Sequence, residues 1–466
     1  MKTLFYPCIV VASLVFPAPV RAADKPTAEA PPEVRSFELT PTAPPAPALK
    51  YRLLFDDAVD SRAGNAAILY LQAVLLMGAD GQEKADQALK AYDEKDMARF
   101  NELADSLEKP EVFGELELAS RCEDCNWETP FRERGVEALM PHLSALKNGI
   151  AKLIKVRVLR QIEQDKTADA LATLRFGYEL SEKIGRDREP CLVSVLVSMA
   201  VARTMDDCLV TLMNRPDVPN LYWALVDLPQ FRSMWRPAMA GERRGTSKYV
   251  SPWTDGKQTT ADTARAALNT AADIVWGPND PRRVDPIRGT SAAVLEQARQ
   301  SYADEHGIAS DAAAKIDPAI VLLEYYVRQY LVTGDDIYAI PDLPYPELLS
   351  RSAEVTTRVM KQMAEQPANP FLQYFPAVLH AAWSFDRADR ERTALAAVEA
   401  LRSYAAANGG KLPARLEDVK DTPVPNNPVT SRPFEYRVDG DTATLSDSQS
   451  QPMLTTLTFT VKIRKP

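Results

Sequence analysis

The sequence predicts a mainly α protein: an irregular helical-hairpin stack, tetratricopeptide-like in part, with a small C-terminal antiparallel β module. Three observations point there. Apolar residues recur at three- and four-residue spacing through most of residues 51–407. Glycine is scarce, 18 in 466 residues, which argues against a glycine-rich all-β fold. Alternation of apolar and polar side chains sets in only after residue 433. A chain of this length exceeds one compact core, and 45% apolar with 26% charged residues excludes wholesale disorder.

Residues 1–22 read as a signal peptide. Lys2 gives a positive start, Leu4 to Phe16 an apolar stretch, and Val20-Arg21-Ala22 a small-residue cleavage site. The stretch is too short to span a bilayer, so release into the periplasm or beyond is expected, with no membrane insertion after its removal. Residues 23–50 carry seven prolines and read as a linker, because proline fixes φ and removes a donor.

Residues 51–235 form the expected helical domain. Ala67, Leu69, Leu71, Val74, Leu75 and Leu76 give one helix an apolar face that stops at Gly78. Later helices break at Gln164-Asp165-Lys166, Gly185 and Pro190. Ala168, Ala170, Leu171, Leu174, Phe176 and Leu180 have the small-and-large alternation of tetratricopeptide-type pairs, but no second copy follows about 34 residues on. Residues 236–385 form a second, proline-punctuated helical region. A helix over 371–407 is expected to break near Pro376 or Asp386, with Asn408-Gly409-Gly410 as its stop. Residues 386–466 then supply a helix and three strands, with Asp439-Gly440 as a hairpin turn.

The net charge of −9 becomes −11 once Lys2 and Arg21 leave with the leader. An acidic chain is repelled by nucleic acid and by anionic membrane surfaces. Three histidines leave little material for histidine-based chemistry. Cys122-Glu-Asp-Cys125 is the one short motif with chemistry in it. In an oxidising compartment, Cys122, Cys125, Cys191 and Cys208 are candidate disulfide cysteines. Cys191 and Cys208 on one helix lie about 25 Å apart, beyond the reach of roughly 7 Å that a disulfide spans. Zinc on Cys122, Cys125 and His142 is an alternative, without the spacing of a known zinc module. Redox chemistry is disfavoured by Glu123 and Asp124, whose charge opposes a thiolate. Tyr222, Trp223, Tyr325 and Tyr326 are candidate binding aromatics, although core packing is the commoner use of such residues.

Cys125-Asn-Trp127, Pro141-His-Leu143, Pro219-Asn-Leu-Tyr-Trp-Ala-Leu225, Leu412-Pro413 and Pro433-Phe-Glu-Tyr436 resemble a family of uncharacterised secreted bacterial proteins. The resemblance implies export and a helical body and carries no catalytic residue. The expected function is a non-catalytic binding or scaffold protein of the bacterial cell envelope, with an envelope protein or polymer as partner and no cofactor. The alternatives are an exported hydrolase using paired carboxylates and a zinc or thiol protein built on Cys122 and Cys125.

Overall fold

The computed structural model describes residues 33–56, 58–134, 140–254, 259–281, 283–340, 343, 347–447 and 456–464. The expected signal peptide lies outside the described residues. The fold is mainly α with a small C-terminal antiparallel sheet, as the periodicities require.

Strand β1 (Glu33–Leu39) comes first. This corrects the reading of 23–50 as linker throughout: Phe37 and Leu39 are buried, and β1 pairs in parallel with the last strand of the chain. After β2 (Arg62–Asn65), helix α1 (Ala66–Met77) starts where Asn65 Oδ1 accepts the Ala67 N–H at 3.1 Å. It ends at Gly78, whose φ of 86° suits a residue without Cβ. Helices α2 (Gly81–Asp93), α3 (Met97–Leu107) and α4 (Pro110–Ser120) follow, then β3 (Cys122–Asp124), which pairs with β2.

A π-helical stretch, Leu146–Ile150, leads into α5 (Ala151–Glu163). The expected break at 164–166 is present, with Asp165 in the left-handed region at φ 55°. Helix α6 (Thr167–Gly185) and α7 (Leu192–Met213) complete a run of antiparallel hairpins. Next come α8 (Tyr222–Val226), α9 (Trp235–Thr254), α10 (Ala261–Trp276), α11 (Ala292–His306), α12 (Pro318–Ala339) and α13 (Glu347–Glu365). A 3-10 segment, Leu372–Tyr374, leads into helix α14 (Phe375–Ala407), so the expected split of 371–407 falls beside Pro376, while α14 runs unbroken for 33 residues through Asp386. Pro376 falls in the first turn, where no N–H is needed.

The closing sheet has the order β1-β6-β5-β4, with β4 (Glu435–Asp439), β5 (Thr442–Ser446) and β6 (Leu457–Ile463). Asp439 pairs with Thr442, so the two-residue turn is Gly440-Asp441, with Gly440 at φ 60°. Ala443, Leu445, Phe459, Val461 and Ile463 alternate onto the buried face with Phe37 and Leu39.

Two apolar cores result. One joins α1–α6, the C-terminal halves of α7 and α14, and the sheet; the other joins the N-terminal halves of α7 and α14 to α9–α13. Buried charges line the boundary. Asp389 accepts the Phe231 and Arg232 N–H groups at 2.7 and 2.9 Å. Arg390 donates to Asp447 at 2.7 Å, and Arg392 sits 3.6 Å from Asp206, which accepts the Tyr178 hydroxyl at 2.6 Å.

Deeper in the first core, Arg402 is fully buried. Its N–H groups reach Thr40 O (2.8 Å), Val218 O (2.6 Å), Thr42 Oγ1 (2.9 Å), Pro219 O (3.3 Å) and Glu399 Oε1 (3.2 Å). Glu399 Oε2 accepts the Leu221 N–H at 3.1 Å. The Pro219-Asn-Leu-Tyr string is thus fastened, together with the chain leaving β1, to one ion pair on α14.

Candidate functional site

The residues named from sequence fall into separate structural settings. Cys122 opens β3, and its Sγ–H points to Leu118 O at 3.4 Å. His142 does lie in this region: its ring stacks on Trp127, with centroids 4.7 Å apart and planes at 11°, and Trp127 stacks in turn on Tyr70. Burial lowers the His142 pKa to about 4, so the ring is neutral at pH 7. Burial also raises the Cys122 and Cys125 thiols, which opposes the thiolate that zinc or redox chemistry needs. Among the described residues, no group of three or more His, Cys, Asp or Glu side chains is placed to hold a metal ion.

The four candidate cysteines, Cys122, Cys125, Cys191 and Cys208, are buried, separate thiols, so the expected disulfides are not formed among the described residues. Cys191 precedes α7 and Cys208 lies far along it, as the spacing argument requires. A position ahead of a helix does not activate Cys191. Burial first, and the nearby Glu242 charge second, push its thiol up to about 12.

The candidate aromatics do not share a groove. Tyr222 is buried against the first core, its hydroxyl donating to Pro423 O, and Trp223 packs edge-on against it at 4.9 Å. Tyr326 is fully buried in the second core, with its hydroxyl 2.6 Å from Thr290 Oγ1. Tyr325, half-buried beside it, donates to Gln297 Oε1 at 3.3 Å. Tyr222 and Tyr326 are therefore packing residues, because each spends its polar tip inside the protein.

The buried carboxylates are also engaged. Glu242 accepts the Leu192 N–H at 2.8 Å and the Tyr374 hydroxyl, and burial raises its pKa. Asp386, pushed up to about 6 first by burial, faces Arg232 at 3.3 Å. These groups cap chain segments and bind helices together.

A different feature faces outward. Helix α1 has no charged residue in its twelve positions. Its buried side carries Ala66, Ala67, Tyr70, Ala73 and Met77. Its outer side carries Ile68, Leu71, Leu75 and Leu76, which are 57, 43, 78 and 41% exposed. The apolar face read from sequence is thus corrected: Leu71, Leu75 and Leu76 point out, because the small side chains let α1 lie close to its neighbours.

Helix α4 packs beside α1. Lys109, just before α4, donates to Leu76 O and Met77 O at the end of α1. At the other end, β3 after α4 pairs with β2 before α1. The two helices are therefore antiparallel, which sets Leu118 level with about Ile68 and Gly114 level with about Leu71–Gln72. Leu118 is 42% exposed and extends the apolar face. Gly114 is exposed in mid-helix, and a Cβ built there would meet no atom within 4 Å. Such a glycine costs about 0.5–1 kcal/mol relative to alanine, and its own fold gives it no packing reason. From the sequence this face is hard to tell from the buried one, since both sides of α1 are apolar and no charge marks the solvent side.

No protein-family model, no curated protein and no solved structure matches this chain.

Proposed function

We propose that the protein is exported and acts as a non-catalytic helical binding or scaffold protein of the cell envelope, engaging its partner through the α1–α4 face. One observation carries the reading: a two-helix surface with five exposed aliphatic side chains, Ile68, Leu71, Leu75, Leu76 and Leu118. Contiguous exposed apolar surface of this kind marks interaction sites. The exposed fractions sum to more than two whole aliphatic side chains, so covering the face yields roughly 4–8 kcal/mol before the cost of association. That is the scale of a specific but reversible contact. The buried charges and thiols fit the same reading, since each is engaged in holding helices or packed in the core.

The test compares wild type with Leu71→Glu/Leu75→Glu, two positions whose side chains are exposed. Each protein is expressed with its own leader, cross-linked in intact cells, fractionated and sized. The reading expects a leader-cleaved protein outside the cytosol, with cross-linked species through residues 66–77 and 110–120 that the double variant loses. A cytosolic, uncleaved protein, or cross-links indifferent to the double variant, would refute it.

A further inference from the structure

The closing sheet has an edge at β1 and an edge at β4. At the β1 edge the Glu38 N–H donates to Asn214 Oδ1 at 2.8 Å, so the residue after α7 takes up an outward group there. The β4 edge has no such cover. Asp439 and Thr442 face each other across a two-residue turn, and residues paired that way exchange both of their backbone bonds. Glu435, Arg437 and Asp439 therefore spend their N–H and C=O groups on β5. The backbone groups of Tyr436 and Val438 point away from β5, and among the described residues none bonds them. An edge of this kind is a template for another strand. We propose that it pairs with the same strand of a second copy of this chain, β4 against β4, antiparallel about a two-fold axis at Tyr436. The contact is separate from the α1–α4 face and does not depend on it.

Charge selects both the register and the partner. Glu435, Arg437 and Asp439 are exposed and share one face of the strand, while Phe434, Tyr436 and Val438 share the other. A contact made through the outward groups must set even-numbered residues of one strand against even-numbered residues of the other. Setting Phe434 against Tyr436 brings Glu435 onto the other copy's Glu435. Setting Tyr436 against Val438 brings Arg437 onto Arg437 and Glu435 onto Asp439. Setting Tyr436 against Tyr436 places Glu435 opposite Arg437 twice, with no like-charge pair from 434 to 438. Charges on an edge strand ordinarily keep a second copy away. Phe434-Glu-Tyr-Arg-Val438 is instead its own charge complement when reversed. A strand of unrelated sequence could use the open backbone, but it would not require β4 to complement itself. An isologous contact does, because every interaction occurs twice. The same register lays Val438, 39% exposed, beside the other copy's Phe434. About six backbone bonds and these side-chain pairs make a reversible dimer, with Kd roughly 10–100 μM.

Sedimentation velocity of the purified full chain, from about 1 to about 300 μM, tests this. The expected result is a monomer–dimer equilibrium. Glu435→Arg and Arg437→Glu each turn two attractive pairs into repulsive ones, and each weakens the dimer at least about tenfold with an unchanged far-ultraviolet spectrum. The double variant Glu435→Arg/Arg437→Glu exchanges the charges, and it restores the dimer to within about threefold of wild type. An equimolar mixture of the two single variants also dimerises, because each then meets opposite charges on the other. A protein that stays monomeric throughout, a dimer indifferent to the single reversals, or one that neither the double variant nor the mixture restores overturns the proposal. So does a dimer that Leu71→Glu/Leu75→Glu dissolves and the β4 variants leave intact, which would place the contact on α1.

Discussion

Replacing Arg402 with methionine probes the ion pair that fastens the chain after β1 to the helical body. The side chains of Arg402 and Glu399 have no solvent exposure. Methionine keeps most of the volume and removes every donor. Glu399 then keeps the Leu221 N–H and loses its cation, while the carbonyls of Thr40 and Val218 lose donors at 2.8 and 2.6 Å. Breaking a buried pair by removing one partner costs about 3–5 kcal/mol, mostly the penalty of the charge left behind. Urea unfolding followed by circular dichroism should report a loss of about 4 kcal/mol, and amide exchange across 33–42 should quicken more than in α10–α13. Removing the stranded charge as well, in Arg402→Met/Glu399→Gln, should recover about 1–3 kcal/mol relative to the sum of the single losses. A loss under about 1 kcal/mol for Arg402→Met, or strict additivity in the double variant, would refute the role assigned to the pair.

Three further outcomes follow from other parts of the structure. His142 has a folded pKa near 4 against an ordinary 6.5. The unfolded chain therefore takes up a proton below pH 6.5 that the folded chain refuses until about pH 4, so stability falls as pH drops through that window. With a discount for partial exposure the loss is about 2 kcal/mol, and His142→Phe, which preserves stacking on Trp127, should flatten the dependence in denaturant titrations at stepped pH. Phe37→Ala should cost about 3–5 kcal/mol, because Phe37 is 1% exposed and packs 5.4 Å from the Phe459 ring; a negligible change in urea midpoint would return β1 to a passive linker. The four thiols should react with an aromatic disulfide reagent only after denaturation, since all are buried; rapid labelling of native protein would contradict their packing.

The parts legible in the sequence were those written locally. The C-terminal strands announced themselves because Leu457, Phe459, Val461 and Ile463 alternate and a glycine marks the hairpin turn. The break at 164–166 was visible because three polar residues interrupt a helical pattern. Strand β1 was hidden, since its partner β6 lies more than 400 residues away and prolines crowd the sequence around it. The outward face of α1 was hidden for a different reason. Periodicity finds the buried side by contrast with polar residues, and α1 offers almost none. Packing then decides, and it favours the side where Ala66, Ala67 and Ala73 allow close approach. Tyr222 and Tyr326 were ambiguous because an aromatic residue looks the same whether it lines a groove or fills a core. The hydroxyl partners Pro423 and Thr290 resolve that, and neither is adjacent in sequence.

The most direct test of the account is hydroxyl-radical footprinting of Ile68, Leu71, Leu75, Leu76 and Leu118, in intact cells and in the dilute purified protein. Covering of the α1–α4 face in its working state predicts strong oxidation of these side chains when dilute and clear protection in cells, with Val59, 81% exposed, labelled equally in both. Equal labelling of the five in the two settings would contradict it.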